Sequence, residues 1–290
     1  MTETDLEFRS EGTLLRGRFY AAEAAGQRPA VVLAHGFSAV AHQLEPQARA
    51  FAAAGFHAFA YDHAGFGRSD GEPRQEVDPP RQLRGYRDAV SLVRALPQVH
   101  PARIALWGSS FSGGHVLQAA ALDPRVSCVI SQAPFISGSG LMALRPDRDE
   151  FVAALFAERE ARAAGAAPTM MPVVTPADDP AALPGADGYA WFTATGGPTW
   201  KNEVTLSSFE AVRAYEPGWR IEMITPRPLL MIVATEDSVT PTDQAEAAFA
   251  RAGEPKKLVR VGGGHFDVYS GEGFEQAMAA SIAWLREHLR

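Results

Sequence analysis

Short apolar runs and stretches of helical period take turns along this chain. The strand-like runs are "TLLRGRFY" (13–20), "AVVLAHG" (30–36), "HAFAYD" (57–62), "RIALWG" (103–108), "VSCVISQ" (126–132), "PLLMIVAT" (228–235) and "KLVRVGG" (257–263). Most are continuously apolar, which is what a strand covered on both faces requires. Between them, "EPQARAFAAAG", "RQLRGYRDAVSLVRAL", "SGGHVLQAAAL", "TDQAEAAFARAG" and "GFEQAMAASIAWLREHLR" carry the spacing of helices that bury one side. Strand and helix in alternation predict an α/β fold with a doubly wound, mostly parallel sheet. The opening "LEFRSEGTLLRGRFY", which alternates in character and turns at Gly12, predicts an antiparallel hairpin at the sheet edge.

One stretch breaks this rhythm. From about Pro134 to Pro226 no strand-like run appears; a helical piece, "RDEFVAALFAEREARAAG", leads into the proline- and glycine-rich "MMPVVTPADDPAALPG". So long a structureless loop is foreign to a compact domain, so the division expected is a core of residues 1–134 and 226–290 with an inserted, mainly helical cap at 135–225. Tyr189, Trp191, Phe192, Trp200, Phe209, Tyr215 and Trp219 cluster in the second half of the insertion. Single aromatics mostly serve packing, yet a cluster of this size also suits a pocket wall, and Trp191, Phe192, Trp200 and Trp219 are the candidates to line it.

A chain of 290 residues with 46% hydrophobic positions can bury a large core, and its net charge of −7 disfavours nucleic acid and anionic membranes, which need a basic face. The expected partner is a small molecule. The acidic start "MTETDLEFRS" lacks the pattern of a secretory signal and no apolar run approaches a membrane span, so a cytoplasmic location is expected. The single Cys128 sits in the apolar run "RVSCVISQA" and reads as an inert core thiol, and no disulfide, metal or organic cofactor is implied. The helical ends and methionine-containing cap leave a homodimer open.

The chemistry concentrates in "IALWGSSFSGGHVLQAA" (104–120), where a strand meets a glycine-rich helix start. In a G-x-S-x-G nucleophile elbow the middle serine stands at a strained apex with its hydroxyl exposed, and Gly108 and Ser110 fill the first two positions. Ser112 takes the place of the second glycine, a position that needs a small side chain, while Gly113 and Gly114 keep the helix start permissive. The rival register, with Ser112 as nucleophile, lacks the glycine two residues earlier. Ser110 is therefore favoured, with Ser109 as a flank.

A serine hydroxyl needs a base oriented by a carboxylate, in the chain order Ser, Asp/Glu, His. His265, in "VGGGHFDVY", follows the last core strand in a glycine-rich loop that faces the elbow from a strand's carboxyl end. Asp237 follows "LLMIVAT" in the same way; Glu236 is the neighbouring alternative, and the spacing favours Asp237. The oxyanion donors expected are the backbone amides of Phe111, at a helix N-terminus, and of Phe37, in "HGFSAV" after the "AVVLAHG" strand. His35 reads as a turn residue, and His63 as a surface or loop-bracing residue.

"AHGF", "YDHAGFGRSDG", "RIALWGSSFSGGHVL", "SQAPF", "LLMIVATEDSVTP" and "GGGHFDVY", in this order, resemble the α/β-hydrolase superfamily, with its dienelactone-hydrolase-like or X-Pro dipeptidyl-peptidase-like branch the nearest in pattern. The resemblance spans the chain except the cap and implies Ser110, Asp237 and His265 as the triad, with Phe37 and Phe111 supplying the oxyanion hole. Ala64 departs from the D-x-R-G-x-G-x-S pattern and leaves open how that loop is braced. The activity implied is cleavage of a carboxylic ester or thioester bearing an apolar group, through an acyl-enzyme. Acyl transfer or cyclisation on a polyketide-type thioester would use the same triad with water excluded. Peptide or amide cleavage lacks an evident acidic site for a free amino terminus, and a non-catalytic binding protein would not need a complete triad.

Overall fold

A computed structural model describes residues 1–23, 26–177 and 179–289. Asp178, within the proline-rich reach, and Arg290, which ends the last helical run, lie outside the described residues. In chain order the main sheet uses β1 (Thr2–Ser10), β2 (Thr13–Ala21), β3 (Arg28–Ala34), β4 (His57–Tyr61), β5 (Val99–Ser109) and β6 (Cys128–Gln132). After a separate two-residue pair, β7 (Met170–Met171) with β8 (Val204–Thr205), come β9 (Leu229–Ala234) and β10 (Lys256–Val261). The eight strands lie in the order β1-β2-β4-β3-β5-β6-β9-β10. The β1–β2 and β2–β4 pairs are antiparallel and the rest of the sheet is parallel.

Local sequence explains these elements directly. Glu11 (φ 49°) and Gly12 (φ 82°) are both left-handed, the two-residue turn whose twist matches the flanking strands. The strands from β3 to β9 that read as continuous apolar runs are buried because helices cover both faces. On one face, α1 (Glu45–Ala53) and α9 (Gly271–His288) place Phe51, Met278, Trp284 and Leu285 against Leu33, Trp107, Ile130 and Ile232. On the other, α2 (Pro79–Arg94), α3 (Phe111–Leu122) and α8 (Thr242–Arg251) cover Val32, Leu106, Val129 and Met231. Cys128 lies fully inside the first layer, where burial pushes its thiol pKa up and keeps it protonated.

Between β6 and β9 the chain leaves the sheet and forms α4 (Gly138–Ala143), α5 (Arg148–Ala163), β7, α6 (Ala186–Thr195), β8 and α7 (Ser208–Arg213). A two-residue strand has no period to read, which is why the β7–β8 pair is not visible in the sequence. The insertion is tied down ahead of α2, where Arg162 Nη1 donates to Glu76 Oε2 (2.6 Å) and the Val77 amide donates to Ser208 Oγ (2.8 Å). Its aromatic underside forms a third core, with Phe192 and Tyr215 meeting Phe37, Phe66, Phe111 and Phe135 above the carboxyl ends of the strands. The 3-10 turns over Pro217–Ile224, within the span expected for the insertion, send Ile221 and Ile224 into the core on the α3 face of the sheet. Trp219, on that stretch and expected at a pocket wall, is 73% exposed with the Arg220 guanidinium over its ring, and does not line the cavity over Ser110.

Behind the loop that follows β3 lies a group of buried histidines. His35 and His63 have ring centroids 4.6 Å apart, and His63 and His115 are separated by 5.7 Å. His115 is fully satisfied by the Tyr215 hydroxyl (2.8 Å) and Gln82 Oε1 (2.9 Å), whereas neither ring nitrogen of His63 has a partner. His63 is thus not on the surface, as one reading of the sequence had it; it packs within the core. The loop with Ala64 is braced by Arg74, which donates to the Gly67 (3.0 Å) and Ser69 carbonyls, and by Asp62, whose Oδ2 accepts from the Arg68 amide (2.9 Å). Desolvation lowers the pKa of all three histidines, that of His115 to about 3.

Because the folded protein keeps these rings neutral while the unfolded chain protonates them near pH 6.5, stability is fully present above that pH and is lost as pH falls below it. The expected loss is about 1.4 kcal/mol per pH unit for each histidine that stays neutral. Urea unfolding between pH 7.5 and 5.5 checks this, and His63→Phe, which also removes two unpartnered buried nitrogens, is expected to flatten the slope by about one histidine's share.

Candidate active site

Ser110 stands between the last residue of β5 and the first of α3, with φ 59° and ψ −123°. A non-glycine residue in this region costs about 1–3 kcal/mol and persists only where its surroundings over-determine it. Here they do. The Ser110 amide donates to the Gln132 carbonyl (2.9 Å), and its own carbonyl accepts from Phe135 (2.9 Å) and Gly114 (3.3 Å). A Cβ on Gly108 would lie 2.2 Å from the Ser112 carbonyl oxygen, so only glycine lets helix and strand meet at this angle. Ser112 is fully buried and donates its hydroxyl to the His35 carbonyl (2.5 Å). Its small polar side chain braces the loop after β3.

His265 and Asp237 reach the same point from the loops after β10 and β9. His265 Nε2 lies 3.0 Å from Ser110 Oγ, and its Nδ1 lies 2.7 Å from Asp237 Oδ2. Asp237 Oδ1 accepts from the Val239 (2.9 Å) and Thr240 (2.8 Å) amides, which fixes the carboxylate plane. Thr240 Oγ1 sits 2.9 Å from both Asp237 Oδ2 and the Ala133 carbonyl. Sequence reading passed over Thr240; the D-x-x-T spacing, in which a carboxylate caps the turn that follows, was the signal available.

Phe111 follows Ser110 directly as the first residue of α3, and Phe37 lines the same cavity as Ser110. A Cβ on Gly36 would sit 3.2 Å from Ser110 Cβ and 3.7 Å from the Phe111 amide nitrogen, so glycine is what lets the Phe37 segment pass this close. Among the described residues neither amide donates to a protein acceptor, which for Phe111 follows from its place as the first N–H of a helix. His35 Nδ1 is 3.0 Å from the Gly36 carbonyl and its Nε2 accepts the His63 amide (3.0 Å), a turn-bracing role.

A narrow cavity of about 30 Å³ opens over Ser110; Phe37, Leu183, Trp191, Phe192, Phe266 and Tyr269 form much of its wall. Trp191 and Phe192 are therefore at the surface that a bound group would meet. Trp200 is not: it stacks behind Phe192 with ring centroids 5.4 Å apart, and its indole N–H donates to the Ser38 carbonyl (3.0 Å). The Tyr269 hydroxyl, unannounced in the sequence, lies 2.7 Å from Ser109 Oγ, and its pKa is raised by burial. It adds a polar point beside the aromatic residues of the wall. No cluster of His, Cys, Asp and Glu among the described residues could hold a metal ion, and no helix among them is long and apolar enough to cross a membrane.

A mostly parallel eight-stranded sheet whose functional loops gather at the strands' carboxyl ends is the α/β-hydrolase fold. A family profile described as serine aminopeptidase, S33, matches residues 25–172, just over half of the chain, and the chain belongs to that family. The thiohydrolase aneE of Aspergillus aculeatus is 33% identical over 305 residues, covering 99% of this chain and 94% of its own. The polyketide transferase af380 of Aspergillus fumigatus is 31% identical, covering 100% of this chain and 99% of its own. The crystal structure of the α/β hydrolase GrgF from Penicillium sp. sh18 matches with a TM-score of 0.87 at 28% identity, over 100% of this chain and 99% of that one.

Thr240→Val keeps the shape of this side chain but removes the hydroxyl shared by Asp237 and Ala133. A drop in kcat of roughly tenfold, with thermal stability lowered by about 1 kcal/mol, is expected from steady-state kinetics and melting curves.

Proposed function

We propose that this enzyme is a serine hydrolase that cleaves carboxylic thioesters and esters bearing an apolar group through an acyl-enzyme. The observation that carries the reading is the continuous relay from Asp237 Oδ2 through His265 to Ser110 Oγ, at 2.7 and 3.0 Å. With Nδ1–H donated to Asp237, His265 Nε2 takes the Ser110 proton as the hydroxyl oxygen attacks the substrate carbonyl. The Phe37 and Phe111 amides receive the tetrahedral oxyanion, aided by the positive end of α3. His265 then returns the proton to the leaving thiolate or alkoxide, and a water activated by the same imidazole releases the acid. The insertion acts as a cap, with Trp191 and Phe192 selecting an apolar group at the cavity wall. The thiohydrolase name of a 33% identical relative supports a thioester as substrate.

Acyl transfer is the second reading. It is favoured by the aromatic enclosure of the cavity, which limits access of bulk water, and by the relative named a polyketide transferase. Turnover of a short-chain acyl thioester and of an aryl ester, with and without an added alcohol, separates the two: free acid is expected from hydrolysis and the new ester from transfer. Ser110→Ala is expected to lower kcat at least about 10⁴-fold, and Asp237→Asn by a similar factor, with KM little changed. Phe192→Ala is expected to shift preference toward longer acyl chains, measured as the ratio of kcat/KM across a chain-length series, by about tenfold per well-filled pair of methylenes.

A further inference from the structure

The segment after β3 that carries the Phe37 amide is an awkward piece of backbone. Ser38 is a non-glycine residue at φ 49°, 2% exposed, and its hydroxyl has no partner. Its own side chain therefore does nothing to hold the left-handed conformation. The turn is closed on one side only by a long bond from the Ala39 amide to the Gly36 carbonyl (3.3 Å). Beyond it the chain is anchored, because the Ala41 amide donates to Asp62 Oδ1 (2.7 Å). If Ser38 relaxes, the anchored side cannot follow, and the change is taken up at Phe37.

What holds Ser38 comes from the insertion, where the Trp200 indole N–H donates to the Ser38 carbonyl (3.0 Å). Two glycines shape the approach of that indole. A Cβ on Gly196 would lie 2.7 Å from the Trp200 ring, and one on Gly197 (φ 67°) would lie 2.3 Å from the His42 ring. A second tie runs alongside, from Gln43 Nε2 to Thr195 Oγ1 (2.9 Å). The Trp200 ring in turn stacks on Phe192, which walls the cavity.

We infer that Trp200 is a positioning residue through which the seated cap holds the oxyanion loop, fixing the Ser38 carbonyl and with it the Phe37 amide that receives the developing negative charge. The inference rests on the hydrolase reading given above. It makes the oxyanion site complete only when the insertion is in place. An acyl group that packs against Phe192 also steadies Trp200 and the donor loop, so occupancy of the cavity and readiness for chemistry are linked by one ring stack and one hydrogen bond.

The test is Trp200→Phe in the full chain, which keeps an aromatic ring against Phe192 and removes the N–H. Expected are a fall in kcat of roughly tenfold to a hundredfold with KM within about twofold, and a parallel loss of affinity for a trifluoromethyl ketone, whose tetrahedral adduct uses the same donors. Deuterium exchange across residues 36–44 is expected to quicken while the sheet exchanges as in the wild type. A raised KM with unchanged kcat would reduce Trp200 to a wall of the cavity and overturn the inference, as would unchanged exchange in 36–44. Absence of wild-type turnover would instead contradict the hydrolase reading, and the exchange measurement would still decide whether Trp200 holds the loop.

Discussion

The left-handed backbone of Ser110 is the constraint around which the rest of the molecule is arranged. To hold φ at 59°, β5 must stop and α3 must start without an intervening loop, and this junction works only because Gly108 has no side chain to strike the Ser112 carbonyl. The same junction starts α3 at Phe111, directly after Ser110, and leaves Ser112 underneath, where it holds the His35 carbonyl. Strain of about 1–3 kcal/mol at one residue thus positions a hydroxyl, an amide and a neighbouring loop together.

The other parts arrive because parallel strands all end on the same side. Asp237 follows β9, His265 follows β10 and Phe37 follows β3, so a contact between residues 155 apart in sequence, Ser110 and His265, needs no loop of unusual length. The insertion between β6 and β9 then roofs this edge with aromatic rings. Its two hydrogen bonds to the β3 loop, from Trp200 and to Thr195, tie this roof to the loop beside Ser110.

How much of this could be read in advance depended on how local the physics was. The alternation of strands and helices, the hairpin at Gly12 and the sites around Ser110, Asp237 and His265 were legible, since each rests on a short spacing that only a few backbone geometries accept. The insertion was legible only as a change of rhythm. Trp191, Trp200 and Trp219 look alike in sequence, yet one walls the cavity, one sits behind it and one faces solvent, because that choice is made by contacts with distant elements. His63 read as a surface or loop-bracing residue, and it lies in the loop after β4 but is buried against His35 and His115, while Ile221 and Ile224 of the inserted span pack with the core. Long-range packing decided each of these.

The account stands most directly on Ser110 being the activated hydroxyl. Intact-mass and peptide-mapping analysis after treatment with a small fluorophosphonate, on the wild type beside Ser110→Ala and Ser112→Ala, examines it without any assumption about substrate. A single adduct mapping to Ser110, kept in Ser112→Ala and lost in Ser110→Ala, is the result predicted; an unlabelled wild type, or an adduct on Ser112, would contradict it.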